Sequence, residues 1–151
     1  LFFALEKETQ SRNAYRLLAK KMSDPLMTRV FESLAAHEKV HQQVLELELM
    51  KKGVVVKPPS EQDKARYPFY NMDKAMENIH QIDLTYPMAL LLAIEREEYA
   101  FSVYVDLVNQ APNEEIHTLL LELAEEEIRH KIDLEKHYFD FVNNGPDRDE
   151  E

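Results

Sequence analysis

The sequence predicts an all-α protein, an antiparallel four-helix bundle with one long crossover between helices 2 and 3. Four stretches repeat apolar residues with a helical period, and a proline-containing segment of about 30 residues separates the second stretch from the third. Only two glycines occur in 151 residues, and the seven prolines cluster. Long helices tolerate this composition, whereas a sheet with many tight turns would need more glycine.

The first two helices form a predicted hairpin over residues 1–52. Its first helix ends at Met22, Asp24 and Pro25 supply the N-cap and first position of its second helix, and Gly53 closes that helix. The inward-facing apolar residues are Ala4, Tyr15, Leu18 and Met22 in the first helix, and Met27, Val30, Phe31, Leu34 and Leu45 in the second.

Residues 53–84 form the predicted crossover. Pro58-Pro59 and Tyr67-Pro68 favour an extended chain, and the apolar spacing of Met72–Ile82 predicts a short amphipathic helix. A segment of this length without a long helix is unusual in a compact domain unless it has to cross the bundle. A single long crossover is what joins two helical hairpins in this way.

The last two helices form the second predicted hairpin, residues 85–143, with its turn at Pro112. The bundle ends near Gly145-Pro146, so we expect one domain over residues 1–146 and a frayed acidic tail over 147–151. The inward-facing apolar residues are Leu90, Ala93, Ile94, Phe101, Tyr104, Leu107 and Val108 in the third helix, and Ile116, Leu119, Leu120, Leu123, Leu134 and Phe141 in the fourth.

The net charge of −11 argues against a nucleic-acid or anionic-membrane partner, because both require a basic surface. The sequence contains no cysteine, which excludes a disulfide framework and any thiolate-bound zinc or iron centre within it. No apolar run approaches the length of a membrane span, and Leu1–Leu5 is too short for the apolar core of a signal peptide. We therefore expect a cytoplasmic protein.

Acids and histidines interrupt the apolar stripe of each helix near its middle. The second and fourth helices each carry a Glu-x-x-His pair, and the first and third each carry one glutamate on the stripe. A separation of three residues puts both side chains of a pair on one helical face, where they can share a metal ion. The six candidate ligands are Glu8, Glu38, His41, Glu97, Glu127 and His130.

An internal repeat groups these six residues. Glu8, Glu38 and His41 each lie 89 residues before a residue of the same type, as does Tyr15 before Tyr104. This common offset indicates a duplicated helical hairpin. Each of the four glutamates also lies about 15 residues from the turn of its hairpin, which brings all six ligands to one level of the bundle.

Four carboxylates in one layer of a helical core require compensating charge. Two divalent cations would balance them, with both histidines binding as neutral imidazoles. One glutamate from each of two helices and a Glu-x-x-His from each of the others is the arrangement of di-iron and di-manganese carboxylate bundles. Mixed carboxylate and imidazole ligands suit two Fe ions, with Mn or Zn as alternatives.

With these motifs the chain resembles the rubrerythrin-type branch of the ferritin-like superfamily over essentially its full length. The run Glu8-Thr9-Gln10-Ser11-Arg12-Asn13-Ala14-Tyr15 is similar to that branch's first-helix motif, and Glu38-Lys39-Val40-His41 and Glu127-Ile128-Arg129-His130 are similar to its two Glu-x-x-His motifs. The resemblance implies that Glu38 and Glu127 bridge the metals. It also implies that Glu8 and His41 are terminal ligands of one metal. Glu97 and His130 would then be terminal ligands of the other.

The resemblance also implies an oxidoreductase that acts on hydrogen peroxide or dioxygen, and a homodimer. Rubrerythrin proper has a C-terminal rubredoxin domain with four cysteines, and this chain has none, so electrons would come from a separate donor protein. The alternative is a non-catalytic role in iron binding or storage, or a metal-stabilised structural protein. The hydroxylation or desaturation of a specific substrate ranks last. Such a reaction needs an apolar substrate channel, and the apolar stripes of the four helices look fully packed.

A second departure concerns the third helix, where rubrerythrin has an additional carboxylate one turn from its glutamate ligand. Ile94 and Ala100 occupy the positions three before and three after Glu97. Glu95 and Glu98 are alternative ligands if the helix has a different register. A peroxidase activity that depends on the additional carboxylate is therefore in question.

Other polar residues near the motifs have simpler expected roles. Tyr15 and Tyr104 are candidate hydrogen-bond partners of the terminal glutamates, or packed core tyrosines. Glu125 and Glu126 are expected to form a solvated face. The histidines expected at the surface or at helix ends are His37, His80, His117 and His137.

Overall fold

The computed structural model describes residues 1–52 and 83–144, which form four helices: α1 (Phe2–Lys21), α2 (Pro25–Lys51), α3 (Tyr86–Asn109) and α4 (Glu114–Asn144). No strand occurs in these two ranges. The predicted all-α four-helix bundle is confirmed. The predicted short helix at Met72–Ile82, most of the crossover and the tail lie outside the described residues.

Side-chain caps begin three of the helices. Asp24 accepts a hydrogen bond from the Leu26 amide at 2.8 Å, and Pro25 stands at the first turn of α2. Thr85 caps α3 by accepting from Met88, and Asn113 accepts from the Ile116 amide at 2.9 Å at the start of α4. These caps satisfy amides that have no partner within their own helix.

The hairpin partners α1 and α2 pack together, as do α3 and α4, and α1 also contacts α3. Two apolar clusters fill the interior. One cluster contains Leu18 of α1, Phe31 of α2, Leu90 of α3 and Leu134 of α4. The other contains residues from the opposite halves of the same helices, namely Ala4, Leu45, Leu107 and Leu120.

The order of these clusters along each helix fixes the direction of the chain. Helices α2 and α3 both extend from the Phe31 cluster toward the Leu45 cluster, while α1 and α4 extend the opposite way. The end of α2 and the start of α3 therefore lie at opposite ends of the bundle. One long crossover is the connection expected between such ends.

Candidate metal centre

All six predicted ligands lie in the layer between the two apolar clusters. The carboxylates of Glu8, Glu38 and Glu127 are fully buried, Glu97 is 1% exposed, and His41 is 4% exposed. The side chain of His130 is 11% exposed and is the most accessible of the six. The level predicted from the helix spacing is thus the level at which these residues meet.

His41 faces three carboxylates that come from three different helices. Its Nδ1 atom lies 3.4 Å from Glu8 Oε1, 3.4 Å from Glu127 Oε1 and 3.8 Å from Glu38 Oε2. The ligand atoms of these four residues all lie within 4.8 Å of one another, which is close enough to surround one metal ion. We refer to Glu8, Glu38, His41 and Glu127 as site 1.

His130 faces a second group of carboxylates on the other side of the layer. Its Nδ1 atom lies 3.6 Å from Glu97 Oε1, 3.8 Å from Glu38 Oε1 and 4.0 Å from Glu127 Oε2. These four residues also bring ligand atoms within 4.8 Å of one another. We refer to Glu38, Glu97, Glu127 and His130 as site 2.

The two sites share Glu38 and Glu127. Each shared glutamate directs one oxygen toward His41 and the other toward His130. Each shared carboxylate could therefore offer one oxygen to an ion in site 1 and the other to an ion in site 2. The two hairpins together form two adjacent four-residue sites with two residues in common.

These observations agree with a comparison against protein families, in which the family model described as Rubrerythrin matches residues 1–138. The chain belongs to the rubrerythrin family. A search of curated proteins and a search of solved structures each gave no match. Membership of the rubrerythrin family implies metal binding, usually of iron.

Unpartnered polar atoms within the layer support the same conclusion for this rubrerythrin-family bundle. Within residues 1–52 and 83–144, several buried ligand atoms have no hydrogen-bond partner, an arrangement that is costly in a protein interior. They are Glu8 Oε2, Glu38 Oε1, His41 Nδ1, Glu97 Oε2, Glu127 Oε1, Glu127 Oε2 and His130 Nδ1. Metal ions coordinated in this layer would satisfy them, so the residues present fit a pair of metals.

Lys7 was not among the predicted site residues, yet it lies within the centre. Its side chain is 1% exposed, and its ammonium lies 3.1 Å from Glu8 Oε1, 3.4 Å from Glu38 Oε2 and 3.0 Å from Glu127 Oε1. Burial acts to lower the pKa of Lys7, but attraction to Glu127, Glu38 and Glu97 outweighs it and raises the pKa above its ordinary value. The layer thus contains a fixed positive charge.

A sequence signal for Lys7 was nevertheless present. It lies on a heptad-like seam of α1 whose other members are small or apolar, and all of the seam is buried: Ala4, Lys7, Ser11, Ala14 and Leu18. The residues 89 positions later form an equally buried seam on α3: Ala93, Arg96, Ala100, Val103 and Leu107. A cation at the same position of both seams distinguishes Lys7 from a surface lysine.

Two tyrosines connect α1 and α3 at the level of the centre. Tyr15 of α1 donates a hydrogen bond to Glu97 Oε1 at 2.7 Å, and Tyr104 of α3 donates to Glu8 Oε1. Burial, and then the charges of nearby glutamates, raise the pKa of both phenols well above the ordinary value. Both tyrosines therefore remain hydrogen-bond donors at neutral pH.

The protonation of the metal-free layer is uneven. Burial and the neighbouring charge of Glu127 raise the pKa of Glu97 well above its ordinary value. For Glu127 burial acts in the same direction, but Lys7, followed by hydrogen bonds to Glu97 and His41, lowers the pKa well below that value. Burial acts to lower the pKa of His41, and hydrogen bonds with Glu127 and Glu38 raise it to about 10. Metal binding would displace these protons.

One expectation about the surface of α4 is corrected. Glu126 does not lie only on a solvated face, because its Oε2 contacts Nε2 of His41, and its side chain is 44% exposed. The periodicity of α4 places Glu126 off the inner stripe, and only the side chain of His41 on α2 provides it with this contact. Glu125 is exposed as expected and lies 3.7 Å from Arg129.

The alternative third-helix ligands lie away from both sites. Glu95 is exposed, and Glu98 is exposed and forms an ion pair with Lys131 at 3.0 Å. Of the outlying histidines, His117 and His137 are exposed, and His80 lies outside the described residues. His37 is also exposed, and its ring stacks on that of His130 with centroids 5.1 Å apart.

An open pocket connects the layer with solvent between α2 and α4. Its lining includes both candidate histidine ligands, and all but one of its residues have polar or charged side chains: His37, Val40, His41, Glu126, Arg129, His130 and Asp133. Small hydrophilic molecules and ions can approach the centre from this side.

None of the helices in the described part of the chain combines the length and apolar character needed to cross a membrane.

Proposed function

We propose that this protein binds two iron ions and acts as an oxidoreductase on hydrogen peroxide or dioxygen, with electrons from a separate donor protein. The observation that carries the proposal is the pair of four-residue sites sharing Glu38 and Glu127. In this assignment those two glutamates would bridge the ions, Glu8 and His41 would complete site 1, and Glu97 and His130 would complete site 2.

The ligand chemistry favours iron. Carboxylates and imidazoles together suit iron and manganese, and the rubrerythrin family usually binds iron. The four glutamates carry four negative charges when ionised, which two divalent ions would neutralise. Bound iron would supply the electrons that reduce the oxidant.

The protein's own residues support such a reaction in three ways. Tyr15 and Tyr104 hold Glu97 and Glu8 in place through hydrogen bonds. The two apolar clusters exclude water above and below the layer. The open pocket beside His130 supports the approach of a small oxidant such as hydrogen peroxide or dioxygen.

The electron donor and the oligomeric state complete the proposed function. The sequence contains no cysteine and so provides no thiolate-bound iron for electron transfer. We propose a separate redox protein as the donor, and a homodimer as the state of assembly.

Anaerobic iron loading followed by oxidation tests this function. The protein should bind two equivalents of Fe(II), and stoichiometric hydrogen peroxide should then oxidise both ions faster than air does, as followed by rapid-mixing absorption spectroscopy. Glu97→Gln should lose much of the reaction, whereas Glu98→Gln, which changes an exposed residue of the same helix, should retain it. Binding of fewer than two ions by the native protein would contradict the proposal.

The same experiment separates the catalytic role from storage. If the iron pair reacts no faster with peroxide than with air and is not returned to Fe(II) by a reductant, a role in iron binding or storage is favoured instead.

A further inference from the structure

The most unusual group in the interior is the ammonium of Lys7. It lies in the layer that we assign to metals, with a side chain that is 1% exposed. A buried ammonium requires close negative partners, since its removal from water is strongly unfavourable. Lys7 has three such partners, and all three are residues of site 1.

Lys7 and His41 compete for the same three oxygen atoms. The ammonium lies 3.0–3.4 Å from Glu127 Oε1, Glu8 Oε1 and Glu38 Oε2. These are the oxygens that face His41 Nδ1 at distances of 3.4–3.8 Å. A metal ion bound by His41 and these carboxylates would need the same oxygens, two of which accept hydrogen bonds from the ammonium while the third forms an ion pair with it.

The carboxylate oxygens of site 2 are in a different state. Glu38 Oε1 and Glu127 Oε2, which face His130, have no hydrogen-bond partner within the described residues, and the Lys7 contacts are made to the other oxygen of each glutamate. Those oxygens are available to an incoming ion. The two sites therefore share ligands but differ in one respect, because the Lys7 ammonium contacts the oxygens that face His41 and not those that face His130.

We propose that the Lys7 ammonium is a built-in counter-cation that holds site 1 until a metal ion displaces it, so that site 2 fills first and site 1 binds more weakly. The proposal rests on the two-metal function proposed above. Repulsion between the ammonium and a divalent ion at the same carboxylates provides the physical reason. The layer would thus remain partly neutralised in the metal-free protein, and loading would follow a fixed order.

The second hairpin provides a matched control. Arg96 occupies the position 89 residues after Lys7 and is also buried. Its Nη2 lies 3.3 Å from Ser11 Oγ. Replacing Arg96 removes a buried cation from the equivalent helix position without removing the ammonium from the oxygens of site 1.

Titration with Co(II), followed by calorimetry and by the ligand-field absorption of the bound ion, tests the order of binding. The native protein should bind two ions in separate steps. Lys7→Met should strengthen the weaker step by about tenfold or more, while Arg96→Met should not narrow the gap between the steps. Lys7→Gln, which keeps a polar group in the layer, is the second variant should Lys7→Met not fold.

Single-site backgrounds identify which site changes. In His130→Ala, where site 1 alone keeps its full set of ligands, Lys7→Met should strengthen Co(II) binding. In His41→Ala, where site 2 remains complete, Lys7→Met should change Co(II) binding much less. Melting of the metal-free proteins gives an independent readout, because Lys7→Met should melt at a lower temperature than the native protein and gain more upon Co(II) binding.

Two distinct results would overturn these assignments. If the native protein binds two ions and Lys7→Met and Lys7→Gln leave both affinities unchanged, the role of Lys7 is wrong while the two-metal function stands. If the native protein does not bind two ions, the proposed function and the role of Lys7 both fall.

Discussion

The hydroxyl of Tyr15 on α1 donates a hydrogen bond to Glu97 Oε1 on α3 at 2.7 Å. Tyr104 on α3 repeats this contact in the opposite direction, toward Glu8 on α1. Each hairpin therefore provides the tyrosine that positions the other hairpin's unshared glutamate. The two hairpins, which match each other in sequence, thus form equivalent hydrogen bonds to each other's unshared glutamate.

Loss of either tyrosine hydroxyl should destabilise the metal-free protein. Tyr15→Phe and Tyr104→Phe keep the ring that fills the core but leave a buried carboxylate with one partner fewer, so each should lower the free energy of unfolding by about 1–3 kcal/mol. Urea unfolding measures this change. Tyr99→Phe, at a partly exposed position of α3, should change it by less than about 0.5 kcal/mol, and equal effects at all three positions would contradict the prediction.

Removal of a shared glutamate should eliminate more bound metal ions than removal of an unshared one. Glu38 and Glu127 each direct oxygens to both sites, so Glu38→Ala or Glu127→Ala should reduce the bound metal toward zero. Glu8→Ala and Glu97→Ala each remove a ligand from one site and should leave about one ion per chain. Element analysis of protein loaded with excess metal gives the stoichiometry.

The control for this series is Glu95→Ala, which changes an exposed residue close to Glu97 and should leave two ions bound. Loss of a single ion on removing either shared glutamate would argue against bridging.

The contact between Glu126 and His41 should strengthen metal binding at site 1. A carboxylate bonded to the second ring nitrogen fixes the orientation of a histidine ligand, and its removal commonly weakens metal binding by about 10–100-fold. Glu126→Ala should therefore weaken the site 1 step of a Co(II) titration within about that range and leave the site 2 step nearly unchanged. Glu125→Ala, which removes the exposed neighbouring acid, is the matched control and should alter neither step.

The metal-free protein should lose stability as the pH rises above neutrality. The pKa of His41 is about 10 in the folded protein and 6.5 when unperturbed, so the folded state retains a proton that the unfolded state has lost between these values. The stabilisation is fully present below pH 6.5 and disappears as the pH rises through about 10. The raised pKa of Glu97 acts in the same direction.

Thermal melting of the metal-free protein between these pH values tests this dependence. His41→Ala should reduce the slope, whereas His137→Ala, at an exposed position of α4, should retain it. Metal-loaded protein should show a weaker dependence, because bound metal replaces the protons. A melting temperature that rises with pH in the metal-free protein would contradict the assignment.

The helix positions and the ligand level were predictable because both follow from local spacing. Caps such as Asp24 and Thr85 define helix starts, and a three-residue separation places Glu38 beside His41 on one face, whatever else the chain does. The common offset of 89 residues then relates Glu8 to Glu97, and equal distances from the turns bring them to one level. None of these inferences requires knowledge of which helices are neighbours.

Contacts between helices could not be predicted in this way. Lys7 and Glu126 lie beside predicted ligands in sequence, yet their roles depend on which oxygens and ring nitrogens the neighbouring helices bring to them. The sequence by itself determined four helices, a duplicated hairpin and six candidate ligands. Only the tertiary structure decided that Glu38 and Glu127 face both histidines and that an ammonium shares their layer, because those distances depend on the packing of four helices against one another.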